Sequence, residues 1–427
     1  MSVFVKAKAS RSKSLKSIVG GIAIVSAATL ALAGCATAAE PAESAAPAGE
    51  ELTFKIGTAL PQTGNLAFLG PPEEAGVAYA TSQINEATAD TGLTVEVTYG
   101  DSGDTDNKAY ETEIPRLLGE DVTAIIGAAS SGTSLQFIDQ VVGADVIQFS
   151  PANTSATLST YDDNGLYWRT APSDVLQGEV LGNLVAEDGN QTLGMIVLND
   201  SYGTGLAGFV KEAFEAAGGE VVAEPTYNTG DTSFDSQISE VLAADPDAIV
   251  LITFEEVTTI LPGLASFPSD KLYFVDGNLA NFGTDIAAGS VTGAKGTLPG
   301  LSIDTISEFT DALQEFTLAD GKPELTEFSY AAESYDAVIL LALAALEAGS
   351  IAGPDVTGKL QEVSGGSGDG ETCTTFAECA DIILGGGTAD YDGISGKVTF
   401  DENGDPTDGS VGIYQYGEDN TYAAYEG

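Results

Sequence analysis

The chain has 427 residues, with 15 Lys and Arg against 64 Asp and Glu, no His, and a formal net charge of -49. So acidic a surface repels phosphate and excludes nucleic-acid binding through a basic face, and without His there is no Ser-His-Asp triad, Cys-His pair or His-based metal site. A hydrophobic content of 43% excludes a disordered chain, and the length exceeds what one core usually holds, so two lobes are expected.

The N-terminus carries its own signal. Lys6, Lys8, Arg11, Lys13 and Lys16 form a positive region, and no acidic residue precedes Glu40. Residues 17–33 are apolar but short for a membrane span. Leu32-Ala33-Gly34-Cys35 follows and resembles a bacterial lipobox, which implies cleavage before Cys35 and its lipidation. An ordinary signal peptide or an uncleaved anchor is the other reading. Residues 1–34 are thus expected as a lipoprotein signal peptide. Residues 35–51, mostly Ala, Pro and Glu, are expected as a tether. This places a soluble body on the outer side of the cell membrane, held by its lipid.

From residue 52 short apolar runs alternate with helical spacing. LTFKIGTAL, LTVEVTYG, VTAIIGA and DVIQFS read as strands, with helices predicted over 72–89, 105–119 and 132–143. After Trp168-Arg169-Thr170 the pattern restarts. Helices are predicted over 173–187, 203–217, 232–244 and 256–266, and TLGMIVLN, EVVAEPTY, AIVLITF and KLYFVD read as strands. Such βαβ units make parallel, doubly wound sheets. Helices at 304–317, 326–348 and 354–363 precede GKVTFDENGDPTDGSVGIYQYG, a hairpin around Asn403-Gly404. The predicted fold is α/β, with two doubly wound parallel-sheet lobes joined by a multi-strand hinge. Lobe 1 is 52–171 with about 300–392, and lobe 2 is 172–299 with about 393–427. Cys373 and Cys379, six positions apart outside the cytoplasm, are expected to form a disulfide that clips a Gly-rich loop.

Ligands of open α/β sheets bind at the carboxyl ends of the strands, so the loops there carry the chemistry. They are 61–70, Ser130-Ser131-Gly132-Thr133-Ser134, Ser150 to Thr154, Asp200-Ser201-Tyr202-Gly203, Phe254-Glu255 and Asp276-Gly277. None is a phosphate loop, and each alone reads equally as a helix cap. Together, the first half offers hydroxyl and amide donors suited to a carboxylate. The second offers an aromatic and carboxylates suited to an ammonium. A free α-amino acid carries both groups.

These segments resemble the leucine/isoleucine/valine-binding proteins, type I periplasmic binding proteins of branched-chain amino acid ABC transporters. The likeness runs in order through IGTALPQTGNLAFLG, INEA, GDSGDTDN, AIIGAASSGTS, FSPANTSATL, YWRTAPSDVLQG, DSYG and GKVTFDENGD. It implies Ser130 and Ser131 at the ligand carboxylate, and Ala152 and Thr154 meeting the amino acid through backbone and hydroxyl groups. It implies Tyr202 on the second-lobe side, Asp276 on the ammonium, and Phe254 or Glu255 near it. It leaves Arg169 structural. Leu69, beside Phe68, holds a place that is often aromatic in relatives, and Asp276 is a methylene shorter than their Glu. The resemblance implies a non-enzymatic, cofactor-free protein that gives a small amino acid to ABC transporter permease subunits. Urea, an amide or an aromatic acid as ligand, and a signalling partner in place of a permease, are the alternatives. The acids of 401–409 resemble half a calcium loop without the Glu at its twelfth position, and a solvated turn is the simpler reading. Replacing Cys35 by Ala should move the protein from the membrane fraction to the soluble one, measured by fractionation of expressing cells.

Overall fold

The computed structural model describes residues 51–425. The expected signal peptide, Cys35 and all but the last residue of the tether lie outside the described residues.

The first lobe opens with β1 (Leu52–Ala59), α1 (Gly70–Glu86), the single turn α2 (Thr88–Thr91), β2 (Leu93–Thr98), α3 (Tyr110–Leu118), β3 (Ala124–Gly127), α4 (Ser131–Val142), β4 (Ile147–Ser150) and β5 (Tyr167–Arg169). The strands form a parallel sheet in the order β2-β1-β3-β4-β5. β3 reads AIIG and is buried throughout, as a parallel strand covered on both faces must be. The second lobe follows as α5 (Asp174–Glu187), β6 (Thr192–Leu198), α6 (Gly203–Ala216), β7 (Glu220–Ala223), β8 (Thr226–Tyr227), α7 (Asp235–Ala243), β9 (Ala248–Ile252), α8 (Val257–Ile260), β10 (Leu272–Phe274) and β11 (Lys295–Pro299). The chain returns to the first lobe with α9 (Ser307–Ala319), α10 (Ala331–Ala348), α11 (Gly353–Val363), β12 (Glu371–Cys373), α12 (Phe376–Leu384), β13 (Ala389–Gly393) and β14 (Gly396–Lys397). It ends in the second lobe with β15 (Val411–Tyr416) and β16 (Tyr422–Ala424).

The second sheet runs β16-β15-β11-β10-β9-β6-β7, with β8 beside β6. Its inner strands are parallel, and β15 and β16 add an antiparallel edge. β11 leaves the lobe at the point where β15 enters it, and Gly300 N–H donates to the Ser410 carbonyl there, so the two must run in opposite directions. α10 is apolar on every side from Ala337 to Ala345 and buried from Ala331 to Ala345, the pattern of a core helix enclosed by neighbours. Among the described residues no single helix is long and apolar enough to cross a membrane.

Two large cores result, one per lobe. The first takes in Val398 and Phe400, and Phe400 packs edge-on to Trp168. Residues 393–400 therefore stay with the first lobe, and the last crossing lies beyond Phe400 rather than at about 393. Three segments link the lobes: 170–173, 300–306 and 401–410. Cys373 and Cys379 are bonded, but Cys379 sits inside α12, a helix the Gly-rich composition around it hid. The helix expected over 326–348 begins only at Ala331, because Tyr330 adopts left-handed backbone at φ 61°. The one expected over 256–266 is α8 followed by a 3-10 turn at Leu261–Leu264, where Pro262 interrupts it.

The 401–410 turn is tied to the first lobe by Arg169. This side chain is fully buried and pairs with both oxygens of Asp405, at 2.7 and 2.8 Å. It also donates to the carbonyls of Asn153 and Ser155 and to the Ser159 hydroxyl. Asp401 accepts from Asn403 and Asp405 N–H of its own turn. Gly404 is held at φ +78°, and a Cβ there would meet the Tyr167 carbonyl at 2.6 Å. One guanidinium thus fixes both the third crossing segment and the 153–159 loop. Replacing Arg169 by Met strands Asp405 and two carbonyls. It should cost about 3 to 5 kcal/mol, read from the shift in a urea unfolding midpoint.

Candidate functional site

The strand-end loops of the two sheets face each other across a cleft. The lobes touch at its mouth. Asn65 donates through Nδ2 to Glu256 Oε1 at 2.7 Å, the Glu255 N–H donates to the Asn65 carbonyl, and the Ser155 hydroxyl donates to the Ser201 carbonyl. Gly132 lies so close to Asp200 that a Cβ would sit 2.7 Å from its Oδ2. Inside is a small cavity lined by residues of both lobes. A larger, more open pocket lies outside the cleft, behind the turn that carries Leu66 and Leu69.

One wall is built on the N-terminus of α4. Ser130 caps this helix and accepts from Thr133 N–H, while Ser131 Oγ accepts from the N–H groups of Thr154 and Ser155. Both hydroxyls act as acceptors for the backbone, so their protons are free to donate into the cavity. The Ala152 N–H is spent on Ser150 Oγ, and the Thr154 carbonyl accepts from Asp174 N–H. What Thr154 offers a ligand is its hydroxyl. Two serine hydroxyls and one threonine hydroxyl at a helix N-terminus suit a carboxylate.

The facing wall belongs to the second lobe. Tyr202 and Phe254 stack with ring centroids 5.5 Å apart. Tyr202 donates to Asp276 Oδ1 at 2.6 Å, and Gln177 Nε2 donates to the same oxygen at 3.0 Å. Asp276 Oδ2 accepts only from the Tyr330 hydroxyl, at 2.7 Å, and so retains room for one more donor. Burial pushes Asp276 above the ordinary carboxylate range, and the donors from Tyr202, Tyr330 and Gln177 pull it partly back. A cationic group entering the cavity would complete the coordination of this oxygen and favour the ionised form.

The structure thus brings together Ser130, Ser131, Ala152, Thr154, Tyr202, Phe254 and Asp276. Glu255 is the exception. Its side chain is exposed and outside the cavity, and only its N–H serves the cleft. Neighbours on a turn point apart, so Phe254 inside puts Glu255 outside. The sequence reading missed Tyr330, which reaches Asp276 from the start of α10. It also missed Leu66 and Ala129 in the lining. Tyr330 sits just before a long apolar helix and reads as an ordinary core residue. Only its left-handed backbone, absent from any sequence pattern, marks it.

A family model described as periplasmic binding protein matches residues 53–380. The chain belongs to the periplasmic binding protein family. BasB of Halobacterium salinarum, a chemotactic signal transduction system substrate-binding protein, is 25% identical over 376 residues, 85% of this chain and 86% of its own length. A leucine-, isoleucine-, valine-, threonine- and alanine-binding protein of Pseudomonas aeruginosa is 30% identical over 194 residues, 45% of this chain and about half (51%) of that protein. In fold the chain is similar to LivJ of Streptococcus pneumoniae, a branched-chain amino acid transporter substrate binding protein solved with isoleucine. The TM-score is 0.69 at 21% identity, over 88% of this chain and 100% of LivJ. The leucine binding protein LivK of Thermotoga maritima gives 0.68 at 22%, over 87% and 98%.

One more carboxylate of this periplasmic binding protein stands behind the cavity. Asp174 is fully buried at the start of α5, and neither oxygen makes a well-aligned hydrogen bond, though the Thr154 hydroxyl lies close enough to favour its ionised form. Burial first, and then the charge of Asp276, push it well above the usual range, against the opposing effect of Thr154 and Arg169. A folded-state pKa above the unfolded value means that the native state keeps a proton the unfolded chain releases. The associated stability is full below the unfolded pKa, near pH 4, and is lost as pH rises toward the folded one. An amide side chain in its place would not titrate. Asp174→Asn should therefore gain about 1 kcal/mol or more over the parent at neutral pH and show no gain near pH 4, measured by urea unfolding across pH.

Proposed function

We propose that this protein is an extracytoplasmic substrate-binding protein of an ABC importer, held to the membrane through lipidated Cys35. Its ligand is a small aliphatic α-amino acid, a branched-chain one first. The observation that carries this reading is the pairing of opposite chemistries across one small cavity. Ser130, Ser131 and Thr154 present hydroxyl donors on one side, and Asp276 presents a carboxylate with spare acceptor capacity on the other. Leu66, Leu69, Ala129 and Ala152 give the apolar lining for a short hydrocarbon side chain. The ligands named for the Pseudomonas protein and for LivJ are of the same kind.

The mechanism follows from the two lobes. A ligand that touches both walls makes its full set of contacts only when the lobes meet, so binding draws the population toward the closed form. A micromolar constant corresponds to about -8 kcal/mol. Two charge-assisted contacts in a nearly dry cavity, plus a buried side chain, supply energy of that order. The closed form then presents one composite surface for a permease to recognise.

A sensing partner in place of the permease is the second reading, favoured by the chemotaxis role named for BasB, a relative that matches along 85% of this chain. The cavity chemistry is the same in both. Calorimetric titration of the chain from Glu51 onward with leucine, isoleucine, valine, alanine, phenylalanine, glutamate, urea and short amides tests the ligand. A micromolar response is expected to an aliphatic amino acid, and Asp276→Asn should weaken it by about 2 to 5 kcal/mol. Binding of urea or an amide with no response to any α-amino acid would overturn the carboxylate–ammonium reading.

A further inference from the structure

The three segments that link the lobes line a second pocket, which opens to solvent on one side. Thr170 and Pro172 of the first segment, Gly300 of the second and Asp408 of the third line it. Glu333, in the first turn of α10, forms its inner wall and is 6% exposed. The Glu333 backbone carbonyl accepts from the Thr170 hydroxyl at 2.9 Å, while its carboxylate is helped only by backbone N–H of its own turn and meets no side-chain donor or cation among the described residues. It lies directly against the second segment. Gly300 has φ +103°, and a Cβ there would be 2.3 Å from Glu333 Oε1.

The groups around this carboxylate do not neutralise it. Glu73 on α1 faces it and is itself buried with both oxygens unpartnered. Asp336, three residues further along α10, is taken up by Tyr391, Ile394 and Ser395. Tyr330 and Tyr414 face it as neutral phenols. Asp408 adds a second carboxylate to the lining, and Lys397 stands exposed at the mouth, in no ion pair among the described residues. A buried carboxylate without a cation is expensive unless it takes up a proton or something of opposite charge reaches it. Hydroxyls of Thr170, Ser395 and Ser410 surround the same space and supply further oxygen ligands. Among the described residues no group of three or more acids is placed to hold a metal ion, so a single positive charge fits better than a divalent one.

We propose that the hinge cavity is a binding site for a monovalent cation, an alkali ion or a small alkylammonium, with Glu333 as its anionic ligand. All three linking segments line the site, so its shape changes whenever the lobes rotate. An occupant that fits the present shape holds the lobes together and raises affinity in the cleft, and the cleft ligand raises affinity for the cation by the same factor. Burial pushes Glu333 up to about 8, so a proton competes for the site at neutral pH and is released as the cation enters. Cation binding therefore strengthens as pH rises through that value.

The test needs no amino acid ligand and so stands apart from the reading of the cleft. The protein from Glu51 onward, which contains both cores entire, is unfolded thermally in sodium, potassium, methylammonium or choline chloride at equal ionic strength. Near about pH 9 the small cations should raise the midpoint by about 2 °C or more over choline, with a smaller increment near about pH 6. Glu333→Gln should lose that increment. An equal increment in Glu333→Gln, or none in the parent, overturns the site, since diffuse attraction to the acidic surface does not depend on one residue. A response to methylammonium alone makes an organic ammonium the ligand. Should Glu333→Gln fail to fold, rubidium-soaked crystals of the parent decide. An anomalous peak beside Glu333 is expected, and a full anomalous map without one refutes it.

Discussion

The carboxylate of Asp276 is the point on which the cleft is organised. It is buried, and its placement would be untenable without donors, so the surrounding elements are obliged to supply them. Tyr202 comes from the loop before α6, Gln177 from α5 and Tyr330 from the start of α10. Tyr330 immediately precedes the central helix of the first lobe and packs into the second lobe's core, to which the other two also belong. One anion thus gathers hydroxyl and amide groups across the junction, and the aromatic wall formed by Tyr202 and Phe254 follows from where Tyr202 must stand to reach it. The serine wall opposite is set by an independent constraint, the capping of α4, which fixes Ser130 and Ser131 whatever the ligand.

The same logic explains why much of this was legible in the sequence. Fully apolar runs such as AIIG and AIVLI admit no place but the middle of a parallel sheet, and they are found there. Residues that follow such runs stand at the strand ends, which is why Ser130, Ser131, Ala152, Thr154, Tyr202, Phe254 and Asp276 converge. What the sequence hid was set by long-range packing. KGTLP carries Lys, Gly and Pro yet forms β11, because it is covered between β10 and β15 and its lysine reaches Asp188. The small sheet of β12, β13 and β14 has strands too short for a period to register. Tyr330 owes its role to a backbone conformation that its own side chain disfavours, and the energy that holds it comes from a partner 54 residues away.

Buried acids recur where the molecule has to move. Glu73, Asp174 and Glu333 are each enclosed near the linking segments or the cleft, and none has a hydrogen-bonded cation. Arg169, by contrast, is paired at once with Asp405 and with the loop behind the serine wall. Of the three linking segments, the one that carries Asp405 is ion-paired to the first lobe.

The path of the chain has a mechanical consequence. β1 lies inside the first sheet, paired with β2 along Leu52 to Gly57 and with β3 along Ile56 to Ala59, parallel to both. Whatever precedes Leu52 is therefore attached to an interior strand. Pulling on it loads two ladders in shear, all bonds sharing the force, instead of peeling them apart singly. The second lobe carries none of that load, because it connects only through the three linking segments. A pull from the N-terminal side would enter through the first lobe, and the second would follow only through the three linking segments.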